Sequence, residues 1–457
     1  MTTHASSRLA EFVTSLRPAE LPESTVAYTK VLIADTVGAG LFGSTTEAGR
    51  ICWEHAVRTS APGPAAVWGR SGGMVAEAAA LVNGTQAHAY ELDDYHPGAK
   101  LHPGAVVVPS AMAAAARSSQ PVSGMELLTA VVLGYEVMIR VSLAATSSAV
   151  RRRGWHLTGI AGPLGAAAAA ARIGGLDHDA TLHALGIAGS HSAGLFAFSR
   201  EGAMTKRLHA GRASSGGLDA ATLAANGFTG PSDVLEATDG GLLNAISDEA
   251  EPSRIVEGLG DSFLVDQTAI KPYACCGSLH SSIDAVIRLA NAHDVRPHDI
   301  KEITAYNSRL VDRQCGFDYR GTGGALEAQM SLQYCLAVSA TDRRCFTEQF
   351  TPQRRADHDV RELAQRVRFE VDPDIDAVYP HRFPARVGIA MVDRSEHEEF
   401  VSAPTGSEGA PFGWDQMTEK FRATTAGVLS ESEQSDLLGR IEAMDDAGDI
   451  RGLLPVG

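Results

Sequence analysis

GMELLTAVVLGYEVMIRVSLAAT, residues 124–146, sets the reading of the whole chain. Its apolar residues recur at three- and four-residue intervals, which specifies a helix, and the stripe is so broad that little polar face remains. Such a helix is buried on more than one side. AEAAALVNGTQAHAY (76–90), GPLGAAAAAARIGG (162–175) and HDATLHALGIAGSHSAG (178–194) repeat the pattern, with small side chains that let helices approach closely. No heptad persists, so residues 75 to about 260 are expected to form a compact α-helical domain rather than a coiled coil.

After Phe263 the period changes. SLHSSIDAVIRLANAHD is helical, but IKEITAYNS, QRVRFEVDPD, ARVGIAMVDR and EEFVSA alternate apolar and polar residues, the pattern of half-buried strands. DQMTEKFRATTAG and SEQSDLLGRIEAMDDAG then return to helical spacing, so the tail is expected to dock back on the α-domain.

A chain of 457 residues exceeds one ordinary core, so two domains are expected. The net charge of -16 disfavours broad contact with nucleic acid or an anionic membrane, and an anionic small molecule must then meet a local cluster of cations. Six scattered cysteines form no CxxC pair and no disulfide scaffold. MTTHASSRLAEFVTSL lacks the pattern of a signal peptide, and no uninterrupted apolar run reaches the ~18 residues of a membrane span, so a cytoplasmic protein is expected.

ELDDYHPGAKLHPG, residues 91–104, gathers the chemistry. The helix before it is expected to end near Asp93, because His96-Pro97-Gly98 cannot continue it, and the next helix to begin near His102-Pro103. An imidazole at a helix start is kept neutral by the dipole, whereas adjacent acids raise its pKa. Two histidines and several carboxylates could hold a divalent ion, but GAKL places a cation between them and the spacing matches no zinc template, so no metal is expected.

RRRGWHLTGIAGPLG puts His156 at a second helix start, and GAMTKRLHAGRASSGGLDAA crowds Lys206, Arg207, His209 and Arg212 at the head of a third. Cations there oppose the dipole, a placement best explained by a bound anion. In AIKPYACCGSLHSSIDA, Lys271 precedes Pro272, Cys275 and Cys276 read as small packers, and His280 lies in the following helix; ALEAQMSLQYCLAVSA is read as one apolar helix bearing Tyr334. No P-loop, GxGxxG or GxSxG signature supports nucleotide binding or a nucleophile elbow. Histidine, carboxylate, lysine and tyrosine remain, a set suited to proton transfer beside carboxylates without a cofactor.

The ordered blocks NGTQAHAYELDDYH, LHPGAVVVPSAMA, GYEVMIRVSLA, GWHLTGIAGPLGAAAAAA, MTKRLHAGRASSGG and IKPYACCGSLHSSIDA resemble the MmgE/PrpD family, which contains 2-methylcitrate dehydratases, cis-aconitate decarboxylases and iminodisuccinate epimerases. The resemblance implies a mainly α fold: a large all-α helical domain from residues 1–264 and 405–457, and a smaller α+β lid from residues 265–404. It further implies a homodimer, a small polycarboxylate as substrate, and no metal or organic cofactor. By the same resemblance His102, Asp93, His156 and Tyr334 are the catalytic candidates, and Lys206, Lys271 and His280 the substrate-binding ones, to which the acidic stretch adds Glu91 and Tyr95. Glu91 and Tyr95 depart from the decarboxylase-like pattern, which has an aspartate and a small hydroxyl there, and Cys276 stands where those members have histidine.

His102 is expected to be the general acid/base, oriented by Asp93, with His156 or Tyr334 handling a second proton and Lys206 and Lys271 holding carboxylates. The expected activity is dehydration of a 2-methylcitrate-like acid, with epimerisation or decarboxylation as the alternative and an inert binding protein behind both.

Overall fold

The computed structural model describes residues 4–322, 324–379 and 382–453, the side chains of Arg200 and Glu201 apart. The chain divides into two compact units, residues 1–268 with 413–457, and residues 269–412. The fold is mainly α, with a small α+β part.

The first unit is a stack of helices around Gly124–Ala144 and Leu157–Ile173, whose residues are almost all buried. Close approach is what the small residues provide. A Cβ on Gly134 would meet the Gly165 carbonyl oxygen at 2.9 Å, and one on Gly165 would meet that of Gly134 at 2.6 Å. Any larger side chain at either position would force these two helices apart. Helices Ala76–Ala87, Gly104–Arg117 and Thr205–Ala225 pack on the same core. The tail returns as Trp414–Thr425 and Glu431–Glu442, and the first of these lies against the helix Glu23–Gly43.

Two helices, Glu23–Gly43 and Gly124–Ala144, are long and apolar enough by length and composition to cross a membrane, although neither is an uninterrupted apolar run. Their most apolar windows are 72% and 94% buried inside the protein, so both serve as core helices here.

The second unit carries a four-stranded sheet in the order Val367–Val371, Ile300–Asn307, Ala385–Met391, Glu396–Val401. The first pair is parallel, with Ile303 opposite Val367; the other two are antiparallel, with Thr304 opposite Gly388 and Ala385 opposite Val401. Alternating burial along Ile300–Asn307 follows the two-residue strand period. The helix His280–Ala292 covers the sheet, contacting the two strands at its far edge.

Two expectations are corrected. The helix before the acidic stretch ends at Ala87 rather than near Asp93, because His88 turns out of helical geometry and Glu91 takes a positive φ of 55°. The stretch 325–340 is not one helix but two, Gly324–Met330 and Leu332–Asp342, since the Ser331 hydroxyl accepts the Tyr334 N–H and caps a new start.

Candidate active site

Residues 88–103 form an irregular segment between the helices Ala76–Ala87 and Gly104–Arg117, and it closes on itself around Asp93. The Asp93 carboxylate is fully buried, and its Oδ2 lies 2.6 Å from His88 Nδ1 and 3.1 Å from His102 Nδ1. His102 Nδ1 also lies 2.8 Å from the Asp94 carbonyl oxygen. A carbonyl can only accept, so the proton sits on His102 Nδ1, and the neutral ring then carries its lone pair on Nε2. One carboxylate and one carbonyl therefore fix the tautomer of the expected acid/base.

His88 is the second imidazole on Asp93. Burial pushes its pKa down to about 3, against the opposing pull of Asp93, so it is neutral and donates Nδ1–H. Its ring meets that of His102 edge-on at 4.5 Å and stacks against His156 at 5.9 Å. His156 stands at the N-cap position of the helix Leu157–Ile173 and lies Nδ1 to Nδ1, 2.9 Å, from His209 on the helix Thr205–Ala225. Only one of those two nitrogens can hold the shared hydrogen. Burial holds the His156 pKa far below the usual histidine range, with His88 and Lys206 adding to the push, and burial lowers that of His209. Four imidazoles thus share one region, His88 and His156 buried and His102 and His209 partly so. Tyr95 flanks it, its ring 6.4 Å from that of His102.

The cationic stretch resolves differently from its expectation. Lys206 and Arg207 occupy the first turn of Thr205–Ala225, and both bind the same oxygen, Oε1 of Glu91, with Arg207 Nη1 at 2.8 Å. An anion does offset the helix dipole there, but a protein carboxylate supplies it. All three side chains are nearly buried, and Glu91 holds its strained backbone within this triad.

Behind the segment, Asp94 accepts the Tyr135 hydroxyl at 2.6 Å and the Gly104 N–H at 2.9 Å. Burial, reinforced by Asp35, raises its pKa to about 8. Gly104 has no room for a side chain: a Cβ would meet Thr36 Oγ1 at 2.3 Å and both Asp94 Oδ1 and Tyr135 Oη at 2.8 Å.

The second unit holds the remaining candidates. Lys271 is buried. His280 begins the helix His280–Ala292, with Nε2 3.4 Å from the Cys275 carbonyl and its ring edge-on to Tyr273 at 5.3 Å. Tyr334 is buried, donates its hydroxyl to the Gln349 carbonyl, and packs against Tyr319 at 4.9 Å.

Among the described residues, two groups could hold a metal by proximity: His88, Asp93 and His102, and the buried Cys275, Cys335 and Cys345, each set with donor atoms within 4.8 Å. In the first, His88 Nδ1 donates to Asp93 Oδ2, and His102 Nδ1, 3.1 Å from that oxygen, donates to the Asp94 carbonyl, which suits proton handling.

The site roles drawn from the sequence omitted His88, His209 and Arg207. Arg207 and His209 could be read as part of the basic cluster, but nothing local ties His88 to Asp93, because their meeting depends on the turn at Glu91.

Two imidazoles thus meet on the buried Asp93 carboxylate, and two cations on that of Glu91. Comparison with known families is specific: a model of the MmgE/PrpD N-terminal domain matches residues 7–255 and one of the C-terminal domain matches residues 273–446. The chain belongs to the MmgE/PrpD family. It is 29% identical to a cis-aconitate decarboxylase-like protein of Aspergillus oryzae, over 99% of this chain and 96% of that one. It is 28% identical to a cis-aconitate decarboxylase of Aspergillus terreus (98% and 95%) and 29% identical to that of Homo sapiens (96% and 92%). At the level of the family these relatives make it a lyase.

Proposed function

We propose that this chain is a cofactor-independent carboxy-lyase acting on a small unsaturated tricarboxylic acid of the cis-aconitate kind. The observation that carries the reading is His102, whose Nδ1–H is held by Asp93 and the Asp94 carbonyl so that Nε2 is the atom that exchanges a proton. The names of the relatives favour loss of carbon dioxide over the dehydration expected from the sequence.

In this reaction the bond to one carboxylate breaks and carbon dioxide leaves. The electron pair spreads over the adjoining double bond and a remaining carboxylate, and protonated His102 delivers Nε2–H to carbon. Lys206 and Arg207 are the cations proposed to hold a substrate carboxylate, exchanging Glu91 for it. A solvent proton relayed through His209 and His156, which share one hydrogen, resupplies the site. Dehydration would use the same nitrogen in the opposite sense, taking a proton from carbon while hydroxide leaves as water. We place the protein in the cytoplasm as a homodimer.

The test is proton NMR and mass analysis in heavy water with cis-aconitate, 2-methylcitrate, citrate and iminodisuccinate. The reading predicts loss of carbon dioxide from cis-aconitate and one deuteron in the product. Conversion of 2-methylcitrate with loss of water alone would overturn it in favour of a hydro-lyase, and solvent exchange without mass loss in favour of an epimerase.

A further inference from the structure

We infer that Lys420, on the C-terminal return of the chain, is a positioning residue for Asp93; as a statement about catalysis this rests on the function proposed above. Lys420 lies on the helix Trp414–Thr425, 328 residues beyond the segment it holds. Its ammonium pairs with Asp35 of the helix Glu23–Gly43 and donates to the Leu92 carbonyl at 2.8 Å. The side chains of Lys420 and Asp35 are 6% and 0% exposed.

The carbonyl of Leu92 and the amide nitrogen of Asp93 belong to one planar peptide unit. Gripping that oxygen therefore sets the plane from which the Asp93 side chain departs. The Leu92 side chain is itself fully buried, so the residue is held from both sides. Glu91, immediately before, sits at a positive φ that a non-glycine residue adopts only when its surroundings over-determine it. Two constraints do so: the Glu91 triad with Lys206 and Arg207, and the Lys420 clamp one residue later. Burying an ammonium is costly, and an apolar residue would fill the same core space at less expense in stability. A bond to the backbone of the segment that carries Asp93 explains why a cation is there. The C-terminal segment thus completes the site without contributing a group that touches substrate.

The test uses the full-length chain with Lys420→Met, Lys420→Arg and Asp35→Asn. Nitrogen-15 NMR of the His102 ring, read without substrate, is combined with kcat and KM on the acid the wild type converts. Lys420→Met is expected to turn the single Nδ1–H tautomer of His102 into a mixture. It should lower kcat by about 100-fold, the effect of misplacing a catalytic group by about 1 Å, with KM little changed. Lys420→Arg restores most of both readings. Asp35→Asn, which removes the lysine's anionic anchor without opening a space, shifts both readings the same way by less and carries the test should Lys420→Met fail to fold. Folded Lys420→Met or Asp35→Asn protein with the wild-type tautomer and kcat overturns the inference. Should the wild type convert none of the acids, the proposed function fails, while the ring spectra still decide the role of Lys420.

Discussion

Asp93→Asn isolates the carboxylate on which the site is built. The substitution keeps the shape of the side chain but replaces a charged acceptor with a neutral amide beside two imidazoles, at 2.6 Å and 3.1 Å. His88 is neutral under the lowering of its pKa to about 3, so its bond to position 93 adds little that depends on charge. The loss falls on His102, whose charged form in the reaction is stabilised by the Asp93 carboxylate 3.1 Å from Nδ1, a charge-assisted contact worth about 1.5–3 kcal/mol. At 1.36 kcal/mol per tenfold, kcat should fall about 10- to 150-fold. KM should hold, because Asp93 is fully buried beneath the imidazoles. Folding stability should change by less than about 1 kcal/mol, since a buried carboxylate is costly to desolvate and its loss offsets the weakened bonds. Steady-state kinetics alongside thermal unfolding measure both. Folded Asp93→Asn protein with wild-type kcat, or with KM raised and kcat intact, would refute the role of Asp93 as the orienting group.

Three further outcomes follow from the same geometry. Glu91→Gln leaves Lys206 and Arg207 buried without their carboxylate and should cost about 3 kcal/mol in unfolding free energy; part of that should return on adding citrate, which a thermal shift series reads. Gly104→Ala drives a methyl group into Thr36, Asp94 and Tyr135 and should destabilise by about 1–3 kcal/mol in a denaturant titration. Asp94 has a folded pKa raised to about 8 against about 3.9 unfolded, so the native state binds the extra proton between those values. Its contribution to stability is therefore lost as pH rises from about 4 to about 8, and that component of the slope should be missing in Asp94→Asn.

The helices and strands could be read from the sequence because each leaves a local period: the apolar stripe of 124–146 for a core helix, the alternation of 300–307 for a strand packed on one face. Helix limits were harder to read. The end at Ala87 depends on the turn at Glu91, and the break at Ser331 depends on one hydroxyl bond inside an otherwise continuous apolar run. At the site, His102 and His156 announced themselves at helix starts. The ion pairs that hold the segment around them did not, because a bond between Glu91 and Lys206 spans 115 residues and one between Asp35 and Lys420 spans 385, and no local pattern reports such closures. The cations at the head of Thr205–Ala225 were read as the seat of a bound anion, and the sequence could not say that a carboxylate of the chain itself, Glu91, stands there.

The central claim is that His102 Nε2 moves the proton at carbon. It is tested most directly by a single turnover of cis-aconitate in heavy water with wild-type and His102→Gln protein, the folding of each verified by circular dichroism. The account predicts one solvent deuteron in the wild-type product and no product from the variant. Folded His102→Gln protein that forms deuterated product at the wild-type rate would contradict it.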